Sequence, residues 1–321
     1  MRHPIRHVLS AAACIAGLVV LAGGLPAVAA SAQAKLPVNY GFAGSFLTTF
    51  TSPTVSPPGA NNFACRPSAA HPYPVILVHG TIENMNDNWQ AASPILANHG
   101  YCVFALNYGG ASAANDFQGT GEIAASAAQL SASVNSVLAA TGASKVEIVG
   151  HSQGGMMPRY YIKFLGGAAK VDKLIGIAPS NHGTTLSGLT DLGNALGLLG
   201  PVNSVLSTTC QACVEQEVGS SFLTKLNAGG DTVPGVKYTV IESTGDEVVT
   251  PYTSAFLSGP GVTNITVNKQ CATDMSDHLE IANDPVAMAD MLNALDPAHP
   301  VKVPCLVILP VTGPVGLVPS F

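Results

Sequence analysis

One serine is set in a turn that only a few kinds of protein use. Gly150-His151-Ser152-Gln153-Gly154 fits the pattern G-x-S-x-G. The residues before it, Lys145 to Val149, predict a strand, and Gly155 to Leu165 after it predict a helix. A serine at such a strand-to-helix turn sits on strained backbone, and small flanking residues prevent a collision across the turn. We therefore predict that Ser152 is a nucleophile rather than an ordinary serine of a glycine-rich loop.

The first 34 residues are typical of a secretory signal peptide. A start with two arginines and no acids precedes an apolar run from Val8 to Gly23. A-x-A patterns then end at Ala29 and Ala34, and we expect cleavage after Ala34. A membrane anchor is disfavoured because the run is shorter than the ~20 residues of a spanning helix. Residues 35–321 would then form a single secreted domain.

Charge is scarce along the whole chain. Charged residues make up 10% of it, the mean hydropathy is +0.34 and the formal net charge is −6. Because no basic block is present, nucleic acid is not an expected partner. The composition suits an exported protein that meets apolar material.

Six of the seven cysteines remain once Cys14 leaves with the signal peptide. An even number in an exported chain indicates disulfides, although many pairings are possible in principle. We favour Cys65–Cys102, Cys210–Cys213 and Cys271–Cys305. The C-x-x-C at 210–213 could instead be a redox pair or half a zinc site. A local disulfide is preferred because no second C-x-x-C or histidine pair lies nearby.

Strands and helices alternate after a leader, residues 35–70, that we predict to be irregular. The alternation predicts a mostly parallel central sheet flanked by helices on both faces, an α/β fold. The predicted strands are 75–78, 102–106, 145–149, 174–178, 237–241 and 262–267. The predicted helices are 89–98, 122–140, 155–165 and 284–295.

The connection between two of these strands is unusually long. Residues 186–223 are rich in Gly, Leu and Ser and low in charge. We interpret this segment as a small helical cap or lid over the site. A plain pair of packing helices is the equally favoured alternative.

A serine nucleophile needs a base, and the base needs an orienting carboxylate. In folds with this elbow, the chain order is Ser, then Asp or Glu, then His. Asp246 directly follows the strand at 237–241 and is the predicted acid, with Glu247 as the neighbouring alternative. Asp231 precedes that strand and so lies at its wrong end.

His278 is the predicted base, because it follows both the acid and the strand at 262–267. His299 also follows the acid but sits in a proline-flanked tail, and His182 precedes the acid. Nine histidines are present, and a lone histidine is more often structural than catalytic. Chain order and the position after a strand together overturn that expectation for His278.

The oxyanion of an acyl-transfer intermediate needs two backbone N–H donors. One should come from Gln153, the residue after the nucleophile. The other should come from the loop after an early strand, where Thr81 is the predicted donor because Gly80 lets the chain turn in closely. His79 is predicted to be structural.

Four segments together resemble the secreted actinomycete-type lipases and esterases of the α/β-hydrolase superfamily. They are His79-Gly80-Thr81, Gly150 to Met156, Asp246 to Pro251 and Asp277-His278-Leu279. The resemblance covers roughly residues 36–300, and a more distant one links the chain to the fungal lipase B type. It implies a single α/β-hydrolase domain with a triad and an oxyanion hole at the residues identified above.

The lipase B type also has a disulfide beside the early strand and another that joins the catalytic-histidine loop to the C-terminal region. Cys65–Cys102 and Cys271–Cys305 would match these. Gly245 departs from the family pattern, in which a bulkier residue, often Tyr, stands before the acid. This departure predicts a wider or looser acid loop. The tail from Val301 to Phe321 matches least, and we expect it to pack on the edge of the core.

These observations predict a secreted serine hydrolase of carboxylic esters with apolar acyl chains, most simply a triacylglycerol lipase acting through an acyl-enzyme. A short-chain carboxylesterase or polyester hydrolase is the main alternative. An acyltransferase or a non-catalytic binding protein on the same fold is less favoured. No cofactor and no metal are expected. The expected partner is lipid or another apolar ester at an oil–water interface, and we expect a monomer.

Overall fold

A computed structural model of the protein describes Met1, residues 34–185, residue 188 and residues 210–319. The fold discussed below belongs to the compact unit Lys35–Phe321, and the segment Met1–Ala34 is a separate unit. The predicted signal peptide lies almost wholly outside the described residues. Its removal, and the single mature domain that would follow, stay predictions.

Six parallel strands form the central sheet, in the order β2-β1-β3-β4-β5-β6. Their bounds are Val75–Val78 (β1), Val103–Leu106 (β2), Val146–His151 (β3), Val171–Ile177 (β4), Lys237–Glu242 (β5) and Val262–Thr266 (β6). Every strand predicted from the sequence is present. The central strands are buried on both faces, which is why they read as continuous apolar runs in the sequence.

Helices cover both faces of the sheet. The helices are Phe42–Phe46 (α1), Thr48–Thr51 (α2), Ala92–Asn98 (α3), Ile123–Thr141 (α4), Gln153–Phe164 (α5), Gln211–Glu215 (α6), Ser221–Asn227 (α7), Val267–Gln270 (α8) and Pro285–Leu295 (α9). Side chains of α4 and α5 pack with Ile76 and Ile148 on one face. Side chains of α3 and α9 pack with Leu77 and Val149 on the other. Alternate residues of each strand therefore pack into two separate hydrophobic cores, one on each face of the sheet.

The long helix α4 follows its predicted stripe. Ile123, Leu130, Val134 and Val137 are buried against the core. Gly142 ends the helix in the left-handed conformation, as the sequence predicts. By length and composition alone α4 could cross a membrane, but core helices pass the same test.

Two details of the predicted elements were wrong. The leader, residues 35–70, contains the short helices α1 and α2. The helix predicted from Trp89 begins at Ala92 instead, because the residues before it form turns. Trp89 itself is fully buried.

Three disulfides are present, and they are the pairs favoured from the sequence: Cys65–Cys102, Cys210–Cys213 and Cys271–Cys305. The last one holds the tail against the segment before His278. The tail then forms a small hairpin of Ile308–Leu309 (β7) and Gly313–Pro314 (β8). Ile308 is buried, so this part of the tail packs on the body of the protein as expected.

Most of the segment interpreted as a cap, residues 186–223, lies outside the described residues. Its described end consists of α6 and the start of α7. In α6, Ala212 donates its N–H to the carbonyl of Thr120, and Glu215 accepts from the N–H of Ile123. The C-x-x-C turn is thus fixed to the N-terminus of α4. The cap interpretation stays a prediction.

Candidate active site

Ser152 stands between β3 and α5 on strained backbone. Its φ and ψ are 55° and −124°, a conformation that non-glycine residues rarely adopt. The strain is supported by close packing on both sides of the turn. A Cβ on Gly150 would lie 1.8 Å from the carbonyl oxygen of Gly154, and one on Gly154 would lie 2.0 Å from that of Val78. The two glycines of the pentapeptide are therefore required by sterics, and the turn is a nucleophile elbow.

Three side chains from distant loops meet in a chain of hydrogen bonds. The hydroxyl of Ser152 lies 3.0 Å from Nε2 of His278. Nδ1 of His278 donates to Oδ2 of Asp246 over 2.7 Å. All three residues are buried. Asp246 is held in turn by the N–H groups of Val248 and Val249, which donate to its Oδ1 over 2.8 and 2.7 Å.

This arrangement makes His278 a stronger base. Burial by itself would lower the pKa of His278, but the charge of Asp246 and its hydrogen bond raise the pKa above the ordinary histidine value. The charges of Glu247 and Glu83 act in the same direction. A base with a raised pKa takes the proton of a serine hydroxyl more readily.

Two further carboxyl groups flank the predicted acid. Glu242 ends β5 and is completely buried, and burial with the nearby charge of Asp246 raises the pKa of Glu242 well above its usual value. The Glu242 carboxyl group therefore holds its proton more strongly than an exposed glutamate does. Glu247, the alternative acid, contacts only the backbone of the base, since its Oε2 accepts from the N–H of His278 over 3.3 Å. Geometry favours Asp246.

The rival histidines lie elsewhere. Nε2 of His182 lies 3.1 Å from Asp231, and its Nδ1 contacts the carbonyl of Ser254. His299 is exposed and pairs with Asp296. Neither of these two histidines is hydrogen-bonded to Ser152.

The predicted oxyanion donors lie together beside the elbow. Oγ1 of Thr81 lies 3.4 Å from Oε1 of Gln153, and both residues are buried. Gln153 is the first residue of α5, so its N–H has no acceptor within the helix. A Cβ on Gly80 would lie 2.3 Å from Oε2 of Glu83 and 3.2 Å from Cβ of Ser152, so only glycine lets this loop approach the elbow.

His79 has the structural surroundings expected of it. Its ring stacks on Tyr108 with the centroids 4.3 Å apart, and Nδ1 contacts the carbonyl of Gly80 over 2.7 Å. Burial lowers the pKa of His79 to about 4, which keeps the ring neutral. Tyr108 also donates to the carbonyl of His79 over 2.6 Å. His79 and Tyr108 together stabilise the loop that carries Thr81.

The side chain of Gln216, which gives no signal in the sequence, also stabilises that loop. Its Nε2 donates to Oγ1 of Thr81 over 2.9 Å, and its Oε1 accepts from Ser180 over 2.8 Å. Gln216 is the C-cap of α6, next to the Cys210–Cys213 disulfide. The local disulfide therefore helps to hold a side chain against the predicted oxyanion hole.

A second missed feature is the buried pair of Glu83 and His151. Nδ1 of His151 lies 2.9 Å from Oε2 of Glu83, which also accepts from the N–H of Gly80. Asn88 donates to Oε1 of the same carboxylate over 3.0 Å. Nε2 of His151 donates to the carbonyl of His278 over 2.9 Å. The pair thus links the oxyanion loop, the elbow and the base. Its only signal in the sequence was that His151 stands inside the motif.

The expectation of a loose acid loop was wrong. A Cβ on Gly245 would lie 2.9 Å from the carbonyl oxygen of Ser276. The acid loop therefore packs directly against the loop that carries His278, and Ser243 donates to the same carbonyl over 2.5 Å. The glycine is needed for this close approach.

Comparisons with known proteins match this chain to lipases. The family model described as Lipase (class 2) matches residues 72–289. A triacylglycerol lipase of Pseudarthrobacter phenanthrenivorans is 44% identical over 97 residues, which cover 29% of this chain and 28% of that protein. Lipase B of Pseudozyma antarctica is 28% identical over 122 residues, which cover 38% of this chain and 32% of that protein. The matched parts thus span roughly a third or less of these relatives.

Among solved structures, lipase B of Aspergillus fumigatus is similar with a TM-score of 0.58 and 23% identity, covering 78% of this chain and 57% of that one. The six-stranded parallel sheet and the nucleophile elbow define an α/β-hydrolase, which confirms the predicted fold class. Since the family model covers more than half of the chain, the protein belongs to the class 2 lipase family. The resemblance drawn from the four motifs is confirmed.

Proposed function

We propose that this protein is a secreted carboxylic ester hydrolase that acts on triacylglycerols through a Ser-His-Asp acyl-enzyme mechanism. The observation that carries the proposal is the continuous chain of hydrogen bonds from Ser152 through His278 to Asp246. Membership of a lipase family supports an ester substrate with an apolar acyl chain. The disulfides and the signal-like leader support secretion.

In the proposed reaction, Oγ of Ser152 attacks the ester carbonyl while Nε2 of His278 takes its proton. The oxyanion accepts hydrogen bonds from the N–H groups of Thr81 and Gln153. His278 then gives the proton to the leaving alcohol, and the acyl group stays on Ser152. Water attacks this acyl-enzyme with His278 as base, which releases the fatty acid and restores the serine. Asp246 keeps Nδ1 protonated throughout.

The test is hydrolysis of emulsified trioleoylglycerol by the purified protein, measured by titration of released acid beside Ser152→Ala. Loss of the serine should lower kcat by about 10⁶-fold. Equal activity of the two proteins would refute the assignment of the nucleophile. Wild-type activity on dissolved 4-nitrophenyl esters but not on the emulsion would instead indicate a carboxylesterase or polyester hydrolase.

A further inference from the structure

An aromatic chain runs from the catalytic loops to the surface of the protein. Phe42 is buried in a small apolar cluster with Ile82, Val248 and Leu279. Its ring stacks on Phe46 with the centroids 5.4 Å apart. Phe46 in turn meets Phe50 at 5.6 Å, and Phe50 meets Phe117 at 5.8 Å. We name Phe46, Leu47, Phe50 and Phe117 the Phe50 patch.

The buried end of this chain adjoins all three catalytic loops. Ile82 directly follows the predicted oxyanion donor, and Leu279 directly follows the predicted base. Val248 donates its N–H to the predicted acid. The aromatic chain therefore begins in a buried cluster whose members lie on the loops of the site.

The outer end is exposed although its residues are large and apolar. Leu47 has 69% of its surface exposed and Phe50 has 54%. Phe50 lies on α2, and Leu47 is the turn residue between α1 and α2. A folded chain leaves single apolar residues at its surface routinely, but a set of neighbouring ones marks a contact surface.

Three of the four patch residues, Phe46, Leu47 and Phe50, lie in a stretch without charge, whereas Phe117 follows the exposed Asp116. From Leu36 to Cys65 the chain has no Asp, Glu, Lys or Arg. Protein partners and anionic membranes are recognised in part by charged groups at the rim of the contact. The uncharged apolar part of the patch, Phe46, Leu47 and Phe50, is instead suited to a neutral lipid phase.

The helices that carry the patch are fixed to the loops of the site. The N–H of Phe42 donates to Oε2 of Glu280 over 2.9 Å, two residues after the base. Ser45 donates to Asn283, and Thr49 donates to Asp87. Because one side of α1 and α2 is bonded in this way, the other side presents the patch in a fixed position relative to Ser152.

We propose that the Phe50 patch is an interfacial binding surface that seats the protein on neutral lipid droplets with the active site facing the lipid. This proposal rests on the proposed function, since it names the physical form of the substrate. The apolar side chains enter the lipid, and no ion pair takes part. Binding strength should therefore follow apolar area and be insensitive to salt and to anionic lipid.

The test is flotation of the full chain carrying Ser152→Ala with trioleoylglycerol droplets coated with phosphatidylcholine. Leu47→Ser with Phe50→Ser should lower the partition onto droplets by about tenfold or more, because two apolar side chains no longer enter the lipid. Leu47→Ser alone should give a smaller loss in the same direction. Phe164→Ser is the matched control. Phe164 is an exposed aromatic residue at the far end of α5, about 18 Å along the helix from Ser152.

Three results would overturn the proposal: droplet binding by the double variant equal to that of its parent, no binding by the parent, or binding that depends on anionic lipid. The binding assay needs no turnover, so it is independent of the proposed function. If the wild type hydrolyses neither dissolved nor emulsified esters, the proposed function fails while the flotation result still decides the proposal. When Ser152 is intact, the double substitution should lower the ratio of activity on emulsified ester to activity on dissolved ester. Phe164→Ser should leave this ratio unchanged.

Discussion

Nε2 of His151 donates a hydrogen bond of 2.9 Å to the backbone carbonyl of His278, and the two imidazole rings lie 5.1 Å apart. The residue before Ser152 thereby holds the loop that carries His278. On its other side, His151 contacts Glu83, which accepts the N–H of Gly80 in the oxyanion loop. One buried pair thus fixes the relative positions of the predicted nucleophile, the predicted base and the predicted oxyanion loop.

Glu83→Gln should lower kcat by about 10- to 100-fold with little change in KM, because the amide places a donor where the N–H of Gly80 and Nδ2 of Asn88 already donate, and the loops shift. Removal of the charge should also lower the pKa of His278, since Glu83 raises it. The measurement is kcat and KM across pH on a dissolved ester. Glu122→Gln, at an exposed glutamate, is the control. A fall in kcat without a shifted pH profile would indicate that Glu83 acts on packing alone.

Asp246→Asn and Glu242→Gln should differ sharply, although each replaces a buried carboxyl by an amide. Asp246→Asn should lower kcat by about 10⁴-fold, because the amide no longer holds His278 in the useful tautomer. Burial raises the pKa of Glu242 well above its usual value and glutamine resembles the protonated carboxyl group, so Glu242→Gln should stay within about threefold of the wild type. Steady-state kinetics of the two variants measure both effects on kcat. A large loss in Glu242→Gln would mean that this carboxyl group is ionised.

Activity should fall as the pH drops through the pKa of His278, because protonated imidazole cannot accept the serine proton. The midpoint of this acid limb should lie above the ordinary histidine pKa of 6.5, since Asp246 outweighs the effect of burial. Glu247→Gln should move the midpoint to lower pH, because the charge of Glu247 also raises the pKa of His278. The profile of kcat/KM against pH measures both. An unmoved midpoint in the variant would show that Glu247 carries no charge near the base.

Glu280→Gln should stabilise the protein at alkaline pH. Burial raises the pKa of Glu280 from 4.5 to about 9, so the folded state holds a proton that the unfolded state has released. Between these values the free energy of unfolding of the wild type must fall as pH rises. The glutamine variant lacks this dependence and can still accept the N–H of Phe42.

The gain in free energy of unfolding from Glu280→Gln should therefore be near zero at pH 4.5 and reach about 1–3 kcal/mol at pH 8. Urea unfolding at the two pH values measures it. Asp296→Asn serves as the control, because Asp296 has a lowered pKa and should give no alkaline gain. An equal gain at both pH values would show that the effect of Glu280→Gln is not linked to its proton.

Much of this molecule could be predicted from local sequence. The apolar runs of β1 to β5 and the stripe of α4 identify buried elements, because periodicity reports which side chains meet a core. Gly150 and Gly154 mark the elbow because a side chain at either position would strike backbone. Chain order selected Ser152, Asp246 and His278. These three meet because parallel strands end at one edge of the sheet, and their catalytic role stays a prediction.

The rest depended on which loops come together in three dimensions. The partners Glu83 and His151 are separated by 68 residues, and Phe42 and Glu280 by 238. A glutamate or phenylalanine gives no local signal of such a partner, since its hydrogen bond depends on where distant loops converge. The raised pKa of Glu242 has the same origin, because burial and a neighbouring charge are properties of the folded chain. The sequence alone thus determined the strands, the helices and the predicted reacting groups. Tertiary packing decided which side chains hold those groups in position and which apolar surface lies near them.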